Sequence, residues 1–285
     1  MRFVTLPLVT LLIFLTAVIG FAQGDEGDQP TLLVYSSVKQ LLSGDVTDGI
    51  LIPEVESHLE HYAPEWSVMG VGTTNNEMRN GELMPDGTAE HVHYWWVDPS
   101  SEGQNQVIDL LAALKPVATP EQGEKAAPVI DFEPEFPFIA LAIANPEDAV
   151  VYEVQNVENL HEWLVATLGE SGVTLAGLHI TGQFGAVSTT VGYNLPKVGI
   201  DLSAAYMNTD SFRFIDYAEP AVWTINGLYS SDPALQPVIS TEGRPVHLHG
   251  YQDEAMVGGH IAKAAVESVT VTVYPLENVI QTREE

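Results

Sequence analysis

The sequence predicts an α+β protein in which an N-terminal mixed sheet with helices is joined to a C-terminal β-rich, barrel-like part. Apolar residues at helical spacing occur mainly in the first half, as at Val38, Leu41 and Leu42. From Leu175 onward, Gly, Pro and Asp interrupt apolar runs at intervals of roughly eight to twelve residues, a pattern typical of successive strands. We expect the first part at about residues 31–150 and the second at about residues 172–285 of one domain, 31–285.

Individual elements follow from apolar alternation, helical spacing and turn residues. Gly44 is expected to end a helix that begins near Ser36, and Asn156 or Asn159 is expected to cap a later helix. The remaining predictions, in chain order, are strands at 31–36, 68–74, 81–87 and 90–97, a helix at 104–114, a linker at 116–128, a buried strand at 132–144 and a helix at 157–170.

The N-terminus has the pattern of a secretory signal peptide. Arg2 is the only charge in residues 1–22, an apolar run follows it, and small residues precede Gln23. We expect cleavage after Ala22, a flexible acidic leader over residues 23–30, and a protein that is secreted or periplasmic. The alternative is an uncleaved membrane anchor, because the apolar run is nearly long enough to span a bilayer.

The mature chain is strongly acidic and contains no cysteine. The sequence has 10 Lys and Arg against 39 Asp and Glu, and only Arg2 lies in residues 1–22, so the mature net charge is 9 − 39 = −30. Such a field repels nucleic acid and anionic lipid, which excludes both as partners after signal cleavage. It also repels an anionic substrate unless a metal or an arginine reverses it locally. Without disulfides, an exported protein must depend on an ordinary apolar core.

Three histidines near the C-terminus form the most informative pattern. His247 and His249 would lie on one face of a strand, about 7 Å apart at their Cα atoms. The polar residues after His249, together with Gly258-Gly259, are predicted as a turn, after which a return strand over Ile261–Tyr274 would bring His260 beside the first two. Catalytic zinc is usually held by three protein ligands, such as imidazoles, with one coordination position left open. The alternative is three unrelated polar residues on an exposed strand and loop.

Other histidines are weaker candidates. His91 and His93 form a second His-x-His pair, but no third ligand lies near them in the sequence. His58 and His61 fall in a polar segment between prolines and are expected at the surface. His179 lies within an apolar strand, where a hydrogen-bonded core histidine is the expected structure.

Several stretches, in the same order along the chain, resemble the acetolactate decarboxylase family. They extend over residues 31–275, and the histidine motif is the most specific of them. The matching stretches are Val34–Gly49, Gly70–Thr73, Gly81-Glu82-Leu83, Phe136-Pro137-Phe138, Ile180–Phe184, His247-Leu248-His249 and Gly258-Gly259-His260.

The resemblance implies a zinc ion, or another divalent metal, held by His247, His249 and His260, with Glu82 near it. The implied reaction removes carbon dioxide from 2-hydroxy-2-methyl-3-oxobutanoate (acetolactate), or from a related 2-hydroxy-3-oxo acid, to give acetoin or a similar product. A Lewis acid suits this reaction because negative charge develops on oxygen, and a carboxylate can relay the proton that follows. A homodimer is implied as well. Outside the family motif, nothing singles out Glu82.

Two departures from the family pattern concern substrate binding. The family carries an arginine, expected to help bind the anionic substrate, at the position occupied here by Thr190. Threonine cannot neutralise a carboxylate. Arg79, Arg213 and Arg244 are the candidates to replace it.

The second departure is at the C-terminus. The family extends well past its histidines and contributes a late glutamate to the site, whereas this chain ends 25 residues after His260. Glu284 or Glu285 would fill that role only by a different path.

Two other functions remain open from the sequence. One is a relative that keeps the fold and the metal but binds a ligand or partner without decarboxylating it. The other is a cupin-like metal oxygenase, because His247 and His249 followed by Glu254 imitate the first cupin ligand cluster. A cupin needs a further histidine well downstream, and none follows His260.

Overall fold

The computed structural model describes residues 29–43, 49–59, 61–62, 66–73, 81–85, 92–97, 105–109, 135–192, 212–252, 254–255 and 257–283. Two large sheets dominate this part of the chain, accompanied by a two-stranded ribbon and a few short helices. The predicted α+β class with a β-rich part is therefore confirmed. None of the described helices is long and apolar enough to cross a membrane.

The first half of the chain contributes short strands and two helices. Ser37 caps the first helix by accepting a hydrogen bond from the Gln40 amide, and the Gln40 side chain completes a capping box. The elements are β1 (Thr31–Tyr35), α1 (Val38–Leu42), β2 (Ile50–Leu51), α2 (Ile52–Leu59), β3 (Ser67–Thr73), β4 (Gly81–Pro85), β5 (Val92–Val97), β6 (Asn105–Asp109), β7 (Glu135–Phe136) and β8 (Phe138–Ala144).

The second half contains the longest strands. Asn159 caps the third helix by accepting a hydrogen bond from the His161 amide, which settles which of the two candidate asparagines is the cap. After a 3-10 turn at Pro146–Asp148, the elements are β9 (Val150–Val157), α3 (Leu160–Ser171), β10 (Leu175–Gly192), β11 (Phe212–Tyr217), β12 (Ala221–Ser230), α4 (Gln236–Ile239), β13 (Val246–Gln252), β14 (Val257–Pro275) and β15 (Asn278–Gln281).

The first sheet is mixed, as predicted, and has the strand order β15-β1-β8-β3-β4-β5-β6. All of its pairings are antiparallel except that of β1 with β15. Every residue of β8 is buried, in agreement with the predicted buried strand. The short strands β2 and β7 pair only with each other. This sheet therefore combines strands from the start of the chain with one from its end.

The second sheet closes on itself, which confirms the predicted barrel-like part. Its order is β11-β10-β12-β13-β14-β9, and β10 pairs with β14 as well as with β12. The strands β10, β12, β13 and β14 therefore form a ring. Register shifts between Gln183 and Phe184, and between Ser188 and Thr189, allow the long strand β10 to bend around the ring.

Two apolar clusters lie on the two faces of this ring. One contains Leu248 and Ile261 together with the buried stripe of α3, Leu160, Leu164 and Leu168. This is the helix predicted at 157–170 from helical spacing, and its Trp163 is only partly buried. This cluster anchors one face of β13 and β14.

The other cluster lies between the ring and the first sheet, and it includes Met69, Ala142 and Leu228. At Gly177 the two sheets approach so closely that an added Cβ would lie 2.5 Å from the Cβ of Ala142. Glycine is required there, because a real Cβ atom does not approach another atom that closely. The opposite face of β13 is thus held against the first sheet.

The prediction of a helix at 104–114 is wrong for the residues of this segment that the structure describes. Asn105–Asp109 is strand β6, which pairs with β5 from Val97 to His93. A weak helical spacing in this short segment is overridden by ladder hydrogen bonds to a neighbouring strand, and the β-branched Val107 and Ile108 suit that state. Residues 110–114, the predicted linker at 116–128 and the predicted signal peptide at 1–22 lie outside the described residues.

Candidate metal centre

Strand β13 places two histidines on the side that faces the first sheet. Val246 and Leu248 point into the cluster beneath α3, so the alternation of a strand sends His247 and His249 to the opposite side. There the ring of Phe138, from β8, stacks on the ring of His247 with centroids 6.0 Å apart. The two histidines therefore lie between the two sheets.

Strand β14 brings the third histidine to the same place. His260 pairs directly with His249 in the antiparallel ladder, so their side chains share a face. The ring centroids of His247 and His249 lie 4.9 Å apart, those of His247 and His260 lie 5.1 Å apart, and those of His249 and His260 lie 5.8 Å apart. The return strand predicted from the sequence thus gathers the three rings.

The predicted turn is confirmed at its polar residues, since Glu254 and Ala255 form a turn, but it is wrong for Gly258 and Gly259, which belong to β14 and pair with Tyr251 and Gly250. Close packing between β14 and β10 explains why a glycine occurs here. A Cβ on Gly259 would lie only 3.0 Å from the Cβ of Thr189 on β10. The absence of a side chain at 259 therefore lets β14 approach β10 closely just before His260.

The ring spacing matches that of a metal-binding triad. Zinc bonded to imidazole nitrogens at about 2.0–2.1 Å in tetrahedral geometry would hold the ring centroids roughly 5 Å apart. As the side chains are placed, no group of three or more His, Cys, Asp or Glu within the described ranges could hold a metal ion. The rings have the right separation, and small adjustments of their side-chain torsions would direct one nitrogen of each to a common point.

Hydrogen bonds leave the same nitrogen available on two of the rings. The Nδ1 atom of His247 donates to the Ile239 carbonyl at 2.6 Å, and the Nδ1 atom of His260 lies 3.0 Å from the Thr190 hydroxyl oxygen. With Nδ1 occupied, Nε2 is the nitrogen left to accept a metal on each ring. Metal-binding histidines usually make hydrogen bonds of this type through the nitrogen that does not bind the metal. The three imidazoles therefore fit zinc as a set of donors.

Burial keeps the imidazoles neutral. His249 is 1% exposed and His247 is 9% exposed. Burial lowers the pKa of His247 to about 4, and it lowers the pKa of His260 well below 6.5, with nearby positive charges as a smaller cause. Metal binding requires neutral imidazole, so these rings are in the competent state at neutral pH.

Two further residues contribute to the electrostatics of the site: His161, which was not predicted for it, and Arg244, one of the predicted arginine candidates. His161, on the first turn of α3, has its pKa lowered to about 4, first by burial and then by the charge of Arg244. Arg244 is exposed, and its charge also lowers the pKa of His260. No spacing in the sequence could have indicated His161, because it comes to this region through the packing of α3 against β13 and β14.

Glu82 lies on a strand of the first sheet that comes close to β13. Its strand, β4, comes within 8 Å of β13 at Cα atoms, and the backbone of Glu82 pairs with Thr73 and Trp95. The structure describes the backbone of this residue and not its side chain. The fold therefore brings the Gly-Glu-Leu strand close to the strand of His247 and His249.

The other histidines occupy separate places. His179 is hydrogen bonded through Nδ1 to the Asn226 side chain at 2.6 Å, as expected for a partnered histidine. His61 is exposed, His58 is partly buried, and the side chains of His91 and His93 lie outside what the structure describes.

The remaining candidates for the site are dispersed. Glu254 is exposed in the connection between β13 and β14, and Arg213 lies on β11, where only its backbone is described. Arg79, Glu284 and Glu285 fall outside the described residues. Strand β15, which leads to the two glutamates, lies at the opposite end of the first sheet from β4–β6.

The fold and the site together define a class: a two-sheet α+β protein with a three-histidine cluster between a closed ring of strands and a mixed sheet. The family model for alpha-acetolactate decarboxylase matches residues 121–284, which is more than half of the chain. The chain therefore belongs to the alpha-acetolactate decarboxylase family. Membership and fold support a decarboxylase-type function.

Solved structures share the fold at low sequence identity. Acetolactate decarboxylase from Bacillus subtilis strain 168 is 18% identical, with a TM-score of 0.59 and 88% of each chain covered. The enzyme from Bacillus subtilis subspecies spizizenii is 19% identical, with a TM-score of 0.59 and the same coverage. A Staphylococcus aureus protein of unknown function, described as similar to alpha-acetolactate decarboxylase, is 14% identical, with a TM-score of 0.58 and 88% of each chain covered. No curated protein sequence matches the chain.

The lowered pKa of His247 predicts how the metal-free protein responds to acid. The unfolded chain takes up a proton near pH 6.5 and the folded chain only near pH 4, so stability falls as the pH falls between these values, by up to about 3 kcal/mol from this group. His247→Asn keeps a donor for the Ile239 carbonyl but does not titrate. We expect a shallower loss of unfolding free energy between pH 7 and pH 4, measured by urea titration.

His61→Asn is the matched control, because the His61 ring is exposed. It should leave the pH dependence as in the parent protein. An unchanged slope in His247→Asn would contradict a buried, neutral His247.

Proposed function

We propose that this protein is a metal-dependent carboxy-lyase that decarboxylates acetolactate, or a related 2-hydroxy-3-oxo acid, to acetoin or a similar product. One observation carries the proposal: in a member of the alpha-acetolactate decarboxylase family, three imidazoles, two of them buried, lie with centroids 4.9–5.8 Å apart beside the strand of Glu82. The proposed ligands are His247, His249 and His260, and zinc is the metal that their donor set favours, although another divalent metal would suit it.

A bound zinc ion would supply a Lewis acid at the developing negative charge when carbon dioxide leaves. The chain's own residues prepare the site for it. Burial holds His247 and His260 neutral, and the Nδ1 atom of His247 donates to the Ile239 carbonyl, which leaves its Nε2 for a metal. Phe138 covers one face of that ring and keeps water from it. A dry site of this kind strengthens the electrostatic interactions inside it.

Glu82 is the proposed proton relay. Decarboxylation leaves an electron-rich carbon that must be protonated, and a carboxylic acid within reach of that carbon can supply the proton. Strand β4 approaches β13, which supports placing Glu82 on the same side as the histidines. Replacing this carboxyl with an amide keeps its size and removes its acid–base function.

The charge of Arg244 supports binding of an acidic substrate. The whole chain has a formal net charge of −29, which opposes the approach of a carboxylate. Arg244 is exposed and close enough for its charge to lower the pKa of His260. We therefore propose that Arg244 supplies part of the positive field that the family obtains from the arginine at the Thr190 position.

The proposed activity predicts acetoin formation from racemic acetolactate by the zinc-loaded mature protein. Glu82→Gln should retain one zinc per chain but lose at least about 100-fold in kcat, because general acid–base catalysis contributes that much. His249→Asn should lose stoichiometric zinc and, with it, turnover. Metal content is measured by atomic emission and acetoin by a colorimetric assay.

His61→Asn again serves as the control and should match the parent in both measurements. A folded parent protein that takes up no zinc would contradict the metal centre. A parent that takes up zinc and makes no acetoin would contradict only the decarboxylase assignment.

A second function is favoured by the residue at the arginine position. The Thr190 hydroxyl lies 3.0 Å from His260, so this position faces the metal ligands and carries no cation for a carboxylate. This observation supports an exported relative that keeps the metal but binds a ligand or has a shifted substrate. Zinc uptake without acetoin formation, together with a ligand that shifts the melting temperature, would establish this function instead.

We also propose export, since residues 1–22 have the pattern of a signal peptide. The expected mature protein begins at Gln23, within a residue or two, and Edman sequencing of the secreted material checks this. An intact N-terminus at Met1 on a membrane-bound product would favour the anchor instead. The homodimer implied by the family is tested by light scattering of the mature protein.

A further inference from the structure

Thr190 makes a contact that the family resemblance does not explain. It stands directly opposite His260 in the pairing of β10 with β14, and its hydroxyl oxygen lies 3.0 Å from His260 Nδ1. Thr190 is 9% exposed, so water has little access to this hydrogen bond. A shielded bond of this kind defines a side-chain orientation better than an exposed one.

The direction of this hydrogen bond follows from what His260 must do. An imidazole that offers Nε2 to a metal carries its proton on Nδ1, so Nδ1 donates and the threonine oxygen accepts. His247 is held in the same manner, because its Nδ1 donates to the Ile239 carbonyl at 2.6 Å. The two hydrogen-bond acceptors come from different elements: Thr190 lies on β10, and Ile239 lies at the end of α4. Each acceptor orients one ring.

The backbone around Thr190 is shaped to make this contact. Gly259 lies next to His260, and a Cβ there would lie 3.0 Å from the Thr189 Cβ and 3.3 Å from the Thr190 carbonyl oxygen. Glycine therefore allows β14 to approach β10 at this point. A larger residue would separate the strands and lengthen the distance between Thr190 and His260.

We propose that Thr190 is a positioning residue for the metal centre, in which its hydroxyl orients His260 so that Nε2 faces the metal. This inference rests on the proposed function, because it requires His260 to be a ligand. It also assigns a new role to the position: where the family's arginine is expected to bind substrate, this chain has a residue that acts on the metal through its ligand. Outer partners of metal-binding histidines typically contribute about 10–100-fold to metal affinity.

Three substitutions separate this role from a general packing role. Thr190→Val keeps the shape and removes the hydroxyl, whereas Thr190→Ser keeps the hydroxyl and removes a methyl group. Thr189→Val is the matched control: it removes a hydroxyl from the adjacent buried position, which pairs with Ile261 on the core side of the strand. The zinc dissociation constant of each mature protein is measured by competition with a chromophoric chelator, and the absorption spectrum of each cobalt(II)-loaded protein reports the ligand geometry.

We expect Thr190→Val to bind zinc about 10–100-fold more weakly than the parent and to change the cobalt spectrum. Thr190→Ser should restore both properties to near the parent values, and Thr189→Val should match the parent. If Thr190→Val does not fold, Thr190→Ala compared with Thr190→Ser carries the same test. Zinc affinity and a cobalt spectrum unchanged in Thr190→Val would overturn the inference.

Failure of the inference is distinguishable from failure of the proposed function. If His260→Asn abolishes zinc binding and Thr190→Val leaves it intact, the metal centre stands and the role of Thr190 is wrong. If the parent itself binds no zinc or cobalt, both are wrong. A loss of affinity that Thr190→Ser fails to recover would show that the methyl contact matters rather than the hydroxyl, and it would also overturn the inference.

Discussion

The register of β13 against β14 is the constraint on which the rest of the structure depends. His249 opposes His260, and a slip of one residue would turn His260 toward the core beneath α3. That register is held because Leu248 and Ile261 are fully buried on the other face of the same two strands. Apolar packing on one side of the ladder thus fixes the polar cluster on the other side.

Placing imidazoles between two sheets has an energetic consequence. The rings are largely removed from water, which disfavours a charged imidazole and leaves neutral nitrogens that need partners. The Nδ1 atoms of His247 and His260 have them in Ile239 and Thr190. A metal would bind the Nε2 atoms of these two rings, so it would also stabilise the pairing of β13 with β14. Structure and proposed chemistry therefore depend on the same few groups.

The sequence was informative wherever a signal is local. The Asn159 cap of α3, the alternation in β13 and the return of His260 after a short connection all follow from neighbouring residues. It was misleading where a distant partner decides, as in β6, whose pairing with β5 overrides a weak helical pattern. The Gly258-Gly259 pair does not form the turn predicted for it. Gly259 instead allows β14 to pack closely against β10. The contact of Thr190 with His260 joins residues 70 apart and has no local signal.

The central claim is that one metal ion is held jointly by His247, His249 and His260. Anomalous diffraction at the zinc absorption edge, from crystals of the zinc-loaded mature protein, tests it most directly. One strong peak is expected between the two sheets, about 2.0–2.1 Å from one ring nitrogen of each of the three histidines, Nε2 in the case of His247 and His260. A peak that contacts fewer than three of these rings, or no peak at this position, would contradict it.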